Sequence, residues 1–234
     1  MPIFWLSKES TAFPDPRKAP PQGLVALGGD LNLPRLLHAY RIGIFPWYSK
    51  GEPIAWWSPD PRFVLFPSEL RVHKSMRPYF NQRKFSVSYD NAFDEVIRAC
   101  AHTRRAGQEG TWITPQMQRA YGALHRAGYA HSVEVWQNEQ LVGGLYGVAL
   151  GRIFFGESMF SHVSNASKFG FISLVKALQQ KGFVLIDCQQ ETPHLASLGA
   201  RAIPRDQFID ILARHAQPPD PPAHWHSWLT GTTQ

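Results

Sequence analysis

Three polar side chains interrupt otherwise apolar stretches of this 234-residue chain: Glu157 within IFFGESMF, and Asp187 and Gln189 within FVLIDCQ. If both stretches are strands, alternation puts Asp187 and Gln189 on one face, turns Cys188 to the other, and groups Glu157 with Phe155 and Met159. An ionised carboxylate between apolar neighbours costs several kcal/mol unless it is paired, or else its pKa rises. One reading is therefore structural, with Glu157 and Asp187 satisfying backbone donors or ion pairs. The other is chemical: two carboxylates and an amide on one surface can orient an amine or handle a proton.

Apolar residues surround this group in sequence. Phe169, Phe171 and Leu174 follow Glu157, and Leu145 precedes it. They are core-type residues, and they would also wall a pocket for an aliphatic or aromatic side chain, with Met159 as an adaptable surface. Trp47, Trp56, Trp57 and Trp112 fall in turn-like contexts, FPWYS, AWWSPD and GTWIT. Rings in such places either pack proline-rich turns or stack unpaired bases, each base worth about 1–3 kcal/mol. The basic residues Arg71, His73, Lys74, Arg77, Arg83 and Lys84 could track a phosphate backbone, and Lys and Arg outnumber Asp and Glu by 24 to 18, a formal charge of +6. That excess suits a polyanionic partner as well as an ordinary solvated basic face.

Composition narrows the chemistry further. Cys100 and Cys188 lie far apart and form no CxxC pair, so they read as reduced thiols. His224 and His226 have no further ligands nearby, and neither a metal nor a cofactor is expected. Charged residues and prolines break the N-terminal MPIFWLSKESTAFPDP before an export signal could form, and no run approaches the ~20 apolar residues of a membrane span. A cytosolic protein without a membrane partner is expected.

The elements that must position these residues change in texture along the chain. Residues 1–62, dense in Pro, Gly and Trp, read as a small N-terminal domain with one helix, capped by Asn32, striped by Leu33, Leu36 and Leu37, and ended at Gly43. GIFPWYSKGEPIAWWSPDPR after it reads as a rigid, aromatic loop surface. Residues 63–234 alternate ordinary elements. They run from a strand near 63–66 through a strand KFSVSYD, a helix capped by Asn91, and a helix with Thr114 and Pro115 at its start. HSVEVW, LVGGLYGVAL and IFFGESMF form an antiparallel meander. A long helix from Ser164 or Asn165 leads to the strand FVLIDCQ, and helices at HLASLGA and RDQFIDILARHA follow. The fold class is α/β (α+β): the small domain plus an N-acetyltransferase-like domain whose sheet is mixed and mostly antiparallel, with a gap between neighbouring strands able to hold a ligand.

GGDL at 28–31, GIFPW at 43–47, WWSPDPR at 56–62, GTWIT at 110–114, GESMF at 156–160, NASK at 165–168 and IDCQ at 186–189 together resemble the leucyl/phenylalanyl-tRNA-protein transferases, nearly end to end. The resemblance implies transfer of Leu, Phe and, less well, Met from the 3′ end of aminoacyl-tRNA to proteins with N-terminal Lys or Arg, marking them for degradation. It also implies the two-part fold. By the same resemblance Trp47 and Trp112 hold the terminal adenosine, Glu157, Asp187 and Gln189 form the polar centre, and Met159, Phe171 and Leu174 wall the amino-acid pocket. Leu145, on that wall, stands where relatives carry Met, and Phe171 and Leu174 reverse a Leu/Phe order, which gives the pocket a shape of its own.

Two other classes share some of these features. An acetyl-CoA-dependent N-acetyltransferase would need a Gln/Arg-x-x-Gly-x-Gly/Ala loop where this chain has ESMFSHVSNASK. A non-catalytic RNA-binding module would account for the tryptophans and the charge but leaves the two carboxylates and the amide without a use.

Overall fold

The computed structural model describes residues 3–103 and 111–230; Gly110 of GTWIT lies outside them. The first unit is a small sheet of four strands, β1 (Trp5–Leu6), β2 (Leu24–Gly28), β3 (Phe45–Pro46) and β4 (Ala55–Trp57), in the order β1-β2-β4-β3. Helix α1 (Leu33–Arg41) crosses between β2 and β3 and starts as its sequence dictates, with the Asn32 side chain accepting the Arg35 N–H at 2.9 Å. The stretch expected to be loop thus contributes two short strands. Of the two readings open for Trp56, packing is the one it adopts: it is fully buried and donates its indole N–H to the Gly28 carbonyl at 2.9 Å.

The second sheet has seven strands. They are β5 (Arg62–Leu65), β6 (Ser86–Tyr89), β7 (Ala130–Gln137), β8 (Gln140–Leu150), β9 (Ile153–Ser161), β10 (Leu185–Gln189) and β11 (Arg201–Ile203), ordered β11-β5-β10-β9-β8-β7-β6. Short helix α2 (Arg77–Asn81) lies between β5 and β6, while α3 (Phe93–His102) and α4 (Pro115–Arg126) separate β6 from β7. The long helix α5 (Ala166–Gln180) joins β9 to β10, the one parallel pair in an otherwise antiparallel sheet. Then come α6 (Pro193–Ser197), α7 (Arg205–His215) and α8 (Trp225–Thr230). The expected class, a mixed and mostly antiparallel α/β sheet with one long helix returning a strand, is what the chain forms; β1, β2, β11, α2 and α8 are additions. The division expected after residue 62 falls one residue into β5.

Both faces of the large sheet are covered. On one side a continuous core takes in Tyr40, Trp56, Phe93, Tyr121, Phe155 and Phe208, so the N-terminal unit, α3, α4 and α7 share apolar packing. On the other, Val133, Phe154, Phe169, Ile172 and Trp225 form a second core beneath α5 and α8. Adjacent Phe154 and Phe155 point to opposite sides, as a strand requires. Arg205 of α7 ties the N-terminal loops down by donating to the Ala19 and Ser58 carbonyls at 2.6 and 2.8 Å.

One helix start differs from expectation. The N-cap of α3 is Ala92 rather than Asn91, and the buried Glu134 of β7 takes over, accepting the Ala92 N–H at 3.4 Å and the Ser88 and Ser132 hydroxyls at 2.6 and 2.5 Å. A carboxylate near a helix N-terminus is favoured by the helix dipole. Asn165, at the start of α5, adopts a left-handed conformation (φ 67°) and donates its amide to the Tyr79 hydroxyl at 3.0 Å.

The feature that shapes the site is the brevity of the β9–β10 pairing. It spans Leu185, Ile186 and Asp187 against Ile153, Phe154 and Phe155, and no further. Beyond Phe155, β9 stays with β8 as far as Ser161, while β10 shifts register against β5 between Asp187 and Gln189. Gln189 is left-handed (φ 62°), so regular alternation ends at Asp187 and the strands part.

Candidate active site

The parting strands open a cavity of ≈ 480 Å³, within the range of small-molecule sites. Trp47, just beyond β3, and Trp112, before α4, line it together with Leu145 of β8, Glu157 and Met159 of β9, Phe171 of α5, and Asp187 and Gln189 of β10. Eight of the nine candidate residues therefore share one cavity. The ninth, Leu174, on the same side of α5 one turn further on, is fully buried in the core beneath the helix and does not line the cavity. Cys188, expected on the opposite face from Asp187, also borders the cavity, since the break in register removes the alternation that would have hidden it. Burial and the neighbouring Asp187 charge push its thiol well above the usual range, so it is no ready nucleophile.

Glu157 is the centre of the polar group. Its carboxylate accepts the Tyr40 hydroxyl at 2.7 Å and the Gln189 side-chain amide at 2.9 Å on Oε1, and the Tyr121 hydroxyl at 2.9 Å on Oε2. Loss of water pushes its pKa up to about 7, and the Asp187 charge adds to that rise, while the three donors pull against it. Both phenols are fully buried, in contact with each other, and far more reluctant to ionise than an exposed tyrosine, because of burial and the Glu157 charge.

Asp187 faces a different partner. Arg62, at the start of β5, grips it with two parallel hydrogen bonds, Nε to Oδ1 at 2.8 Å and Nη2 to Oδ2 at 2.6 Å. The guanidinium lies between the Phe45 and Phe208 rings, 4.7 and 4.6 Å from their centroids, and also donates to the Gly43 carbonyl at 3.3 Å. Asp187 meets Gln189 through the backbone only, accepting its N–H on Oδ1 at 2.9 Å; the Gln189 side chain is held by Glu157.

The aromatic candidates divide. Trp47 and Trp112 border the cavity, whereas Trp57 supports Trp47, donating its indole N–H to the Trp47 carbonyl at 2.8 Å with the rings edge to face. The six basic candidates Arg71, His73, Lys74, Arg77, Arg83 and Lys84 are all exposed around α2. Tyr40, Tyr121 and Arg62 belong to the site but carried no signal in sequence: the two tyrosines sit on apolar helix stripes, and their polar ends meet a Glu157 that is 117 and 36 residues away along the chain.

A mixed sheet whose strands part over an apolar slot, with two indoles and a hydrogen-bonded carboxylate–amide pair bordering it, gives a site able to hold an apolar side chain and to orient a polar group beside it. A family model described as leucyl/phenylalanyl-tRNA protein transferase matches residues 64–213, and that of its N-terminal domain matches residues 29–60. A leucyl/phenylalanyl-tRNA--protein transferase of Pseudomonas fluorescens (strain Pf0-1) is 58% identical over 93% of this chain and 97% of its own. Its counterpart in Pseudomonas aeruginosa (strain UCBPP-PA14) is 59% identical over the same shares. Among solved structures, a GCN5-related N-acetyltransferase from Kribbella flavida aligns with 68% of this chain and 56% of its own at 12% identity and a TM-score of 0.35, too low to bear on the assignment. The chain belongs to the leucyl/phenylalanyl-tRNA protein transferase family and is an aminoacyltransferase.

Proposed function

We propose that the cavity takes the 3′ end of a tRNA charged with Leu, Phe or, less efficiently, Met, and passes the aminoacyl group to proteins that begin with Lys or Arg, marking them for degradation in the cytosol. One observation carries the reading: the apolar wall of Leu145, Met159 and Phe171, the two indoles and the Glu157–Gln189 pair border a single cavity. The wall suits an aliphatic or aromatic amino-acid side chain, and Trp47 and Trp112 offer faces for the terminal adenine. The exposed basic residues around α2 suit the acceptor-stem phosphates.

The reaction is aminolysis of an ester that is already activated. The acceptor's neutral α-amine attacks the ester carbonyl, the bond to the ribose 3′ oxygen breaks, and the amine's proton ends on that oxygen as an amide forms. Free α-amines have a pKa near 8, so a useful fraction is neutral at pH 7. Aligning amine and carbonyl is worth up to about 7–11 kcal/mol. In this reading Gln189, whose side-chain amide donates to Glu157 at 2.9 Å, holds the amino groups in line. Asp187 has both oxygens engaged by Arg62, which favours a scaffolding role over service as a base.

The test is to incubate the protein with radiolabelled Leu-tRNA and an Arg-initiated polypeptide and to look for acid-stable label in protein. Label from acetyl-CoA in place of leucine, or tRNA binding with neither transfer, would overturn the reading in favour of an acetyltransferase or an RNA-binding module.

A further inference from the structure

We infer that Tyr40 and Tyr121 are positioning residues of the transfer reaction: their hydroxyls, one on each oxygen of Glu157, hold that side chain so that it fixes the Gln189 amide at the mouth of the parting strands. This rests on the aminoacyl-transfer reading above. Three observations carry it. The donors arrive from separate elements, α1 and α4, onto opposite oxygens of one carboxylate. All three side chains are buried, Tyr40 and Tyr121 completely. The two phenols also touch each other, but such a pair can use only one of its two hydroxyl protons internally, and Glu157 lies within hydrogen-bond reach of both. The remaining groups around the carboxylate are Gln189, a third donor; Tyr146 of β8, close enough to act on both phenols; and Asp187, whose charge Arg62 offsets. Without phenol donors Glu157 would sit in a desolvated site with one amide to hold its charge, and a neutral carboxylic acid would bind Gln189 less firmly.

The experiment is a kcat/KM profile for leucine transfer to an Arg-initiated peptide, from about pH 5.5 to 8.5, for wild type, Tyr40→Phe, Tyr121→Phe and Glu157→Gln. It is paired with 13C NMR titration of the Glu157 carboxyl in the free protein, assigned by its loss in Glu157→Gln. Removing one hydroxyl should raise both the acidic limb of the profile and the carboxyl midpoint by about one pH unit. Transfer at low pH then falls about tenfold while transfer at high pH stays near wild type. Glu157→Gln should lose the carboxyl's part of the limb and keep only the part due to the acceptor amine, near pH 8. A loss equal at every pH, with an unmoved carboxyl midpoint, would assign the phenols to packing alone and overturn the inference. Two single variants guard against one failing to fold. If wild type transfers no leucine at any pH, the aminoacyl-transfer reading fails and the positioning role fails with it, while an unmoved carboxyl midpoint beside active wild type sinks the inference alone.

Discussion

A carboxylate that exchanges water for two phenols and an amide leaves a trace in the stability of the whole protein. Glu157 titrates near 7 in the fold and near 4.5 when exposed. Between those values the native state binds more protons than the unfolded one, so stability falls as pH rises through the window, by about 3 kcal/mol in all. Glu157→Gln should lack that segment, which urea midpoints at several pH values between about 5 and 8 would reveal. The Arg62–Asp187 pair behaves differently. Removing one partner strands a buried charge at a cost of about 3–5 kcal/mol, so Arg62→Leu and Asp187→Asn should each lower the unfolding free energy by that much. If Asp187 serves by fixing the Gln189 backbone, Arg62→Leu reproduces the fall in kcat of Asp187→Asn; a base freed from its arginine would lose nothing. At this scale the sequence exposes Glu157, Asp187 and Gln189, because polar residues in apolar strands stand out. It hides Arg62, whose partner is 125 residues away, and the tyrosines, whose rings look like ordinary core.

Among the elements, β7 to β9 are legible from alternation and turns, and α1 and α4 from their caps, Asn32 and Thr114. What escapes is where the pattern stops. The parting of β9 from β10 depends on a register shift and a left-handed Gln189, neither of which leaves a mark in composition. The N-terminal strands, two to five residues long, are too short to show a period, and β1 pairs with β2 across an intervening loop. β9 carries a bulge opposite Tyr146 and Gly147 of β8, with Glu157 as its extra residue, and beside it Gly147 faces Gly156. A Cβ on Gly147 would stand 2.2 Å from the Phe155 carbonyl oxygen, which is backbone and cannot swing aside. Gly147→Ala should therefore cost about 1–3 kcal/mol or more in denaturant unfolding and lower kcat by displacing Glu157.

For the molecule as a whole, the proposal that the exposed basic cluster around α2 meets the acceptor stem makes tRNA affinity a matter of salt. Binding of uncharged tRNA should fall linearly on a log–log plot against salt, and Arg77→Glu or Arg83→Glu should flatten the slope by about one for each phosphate that is no longer neutralised. A slope unchanged in both variants would move the RNA-binding face elsewhere. The two-part organisation is visible in the sequence as a change of texture, but the continuity of the core across it is not, since packing between Trp56, Phe93 and Phe208 links residues remote in the chain. Because one of the two phenols on Glu157 comes from α1, the first sixty or so residues are not a detachable accessory. A shortened chain starting at β5, even one that stayed folded and bound RNA, would carry a lopsided acid and a bared greasy flank, and no amount of added substrate would restore its turnover.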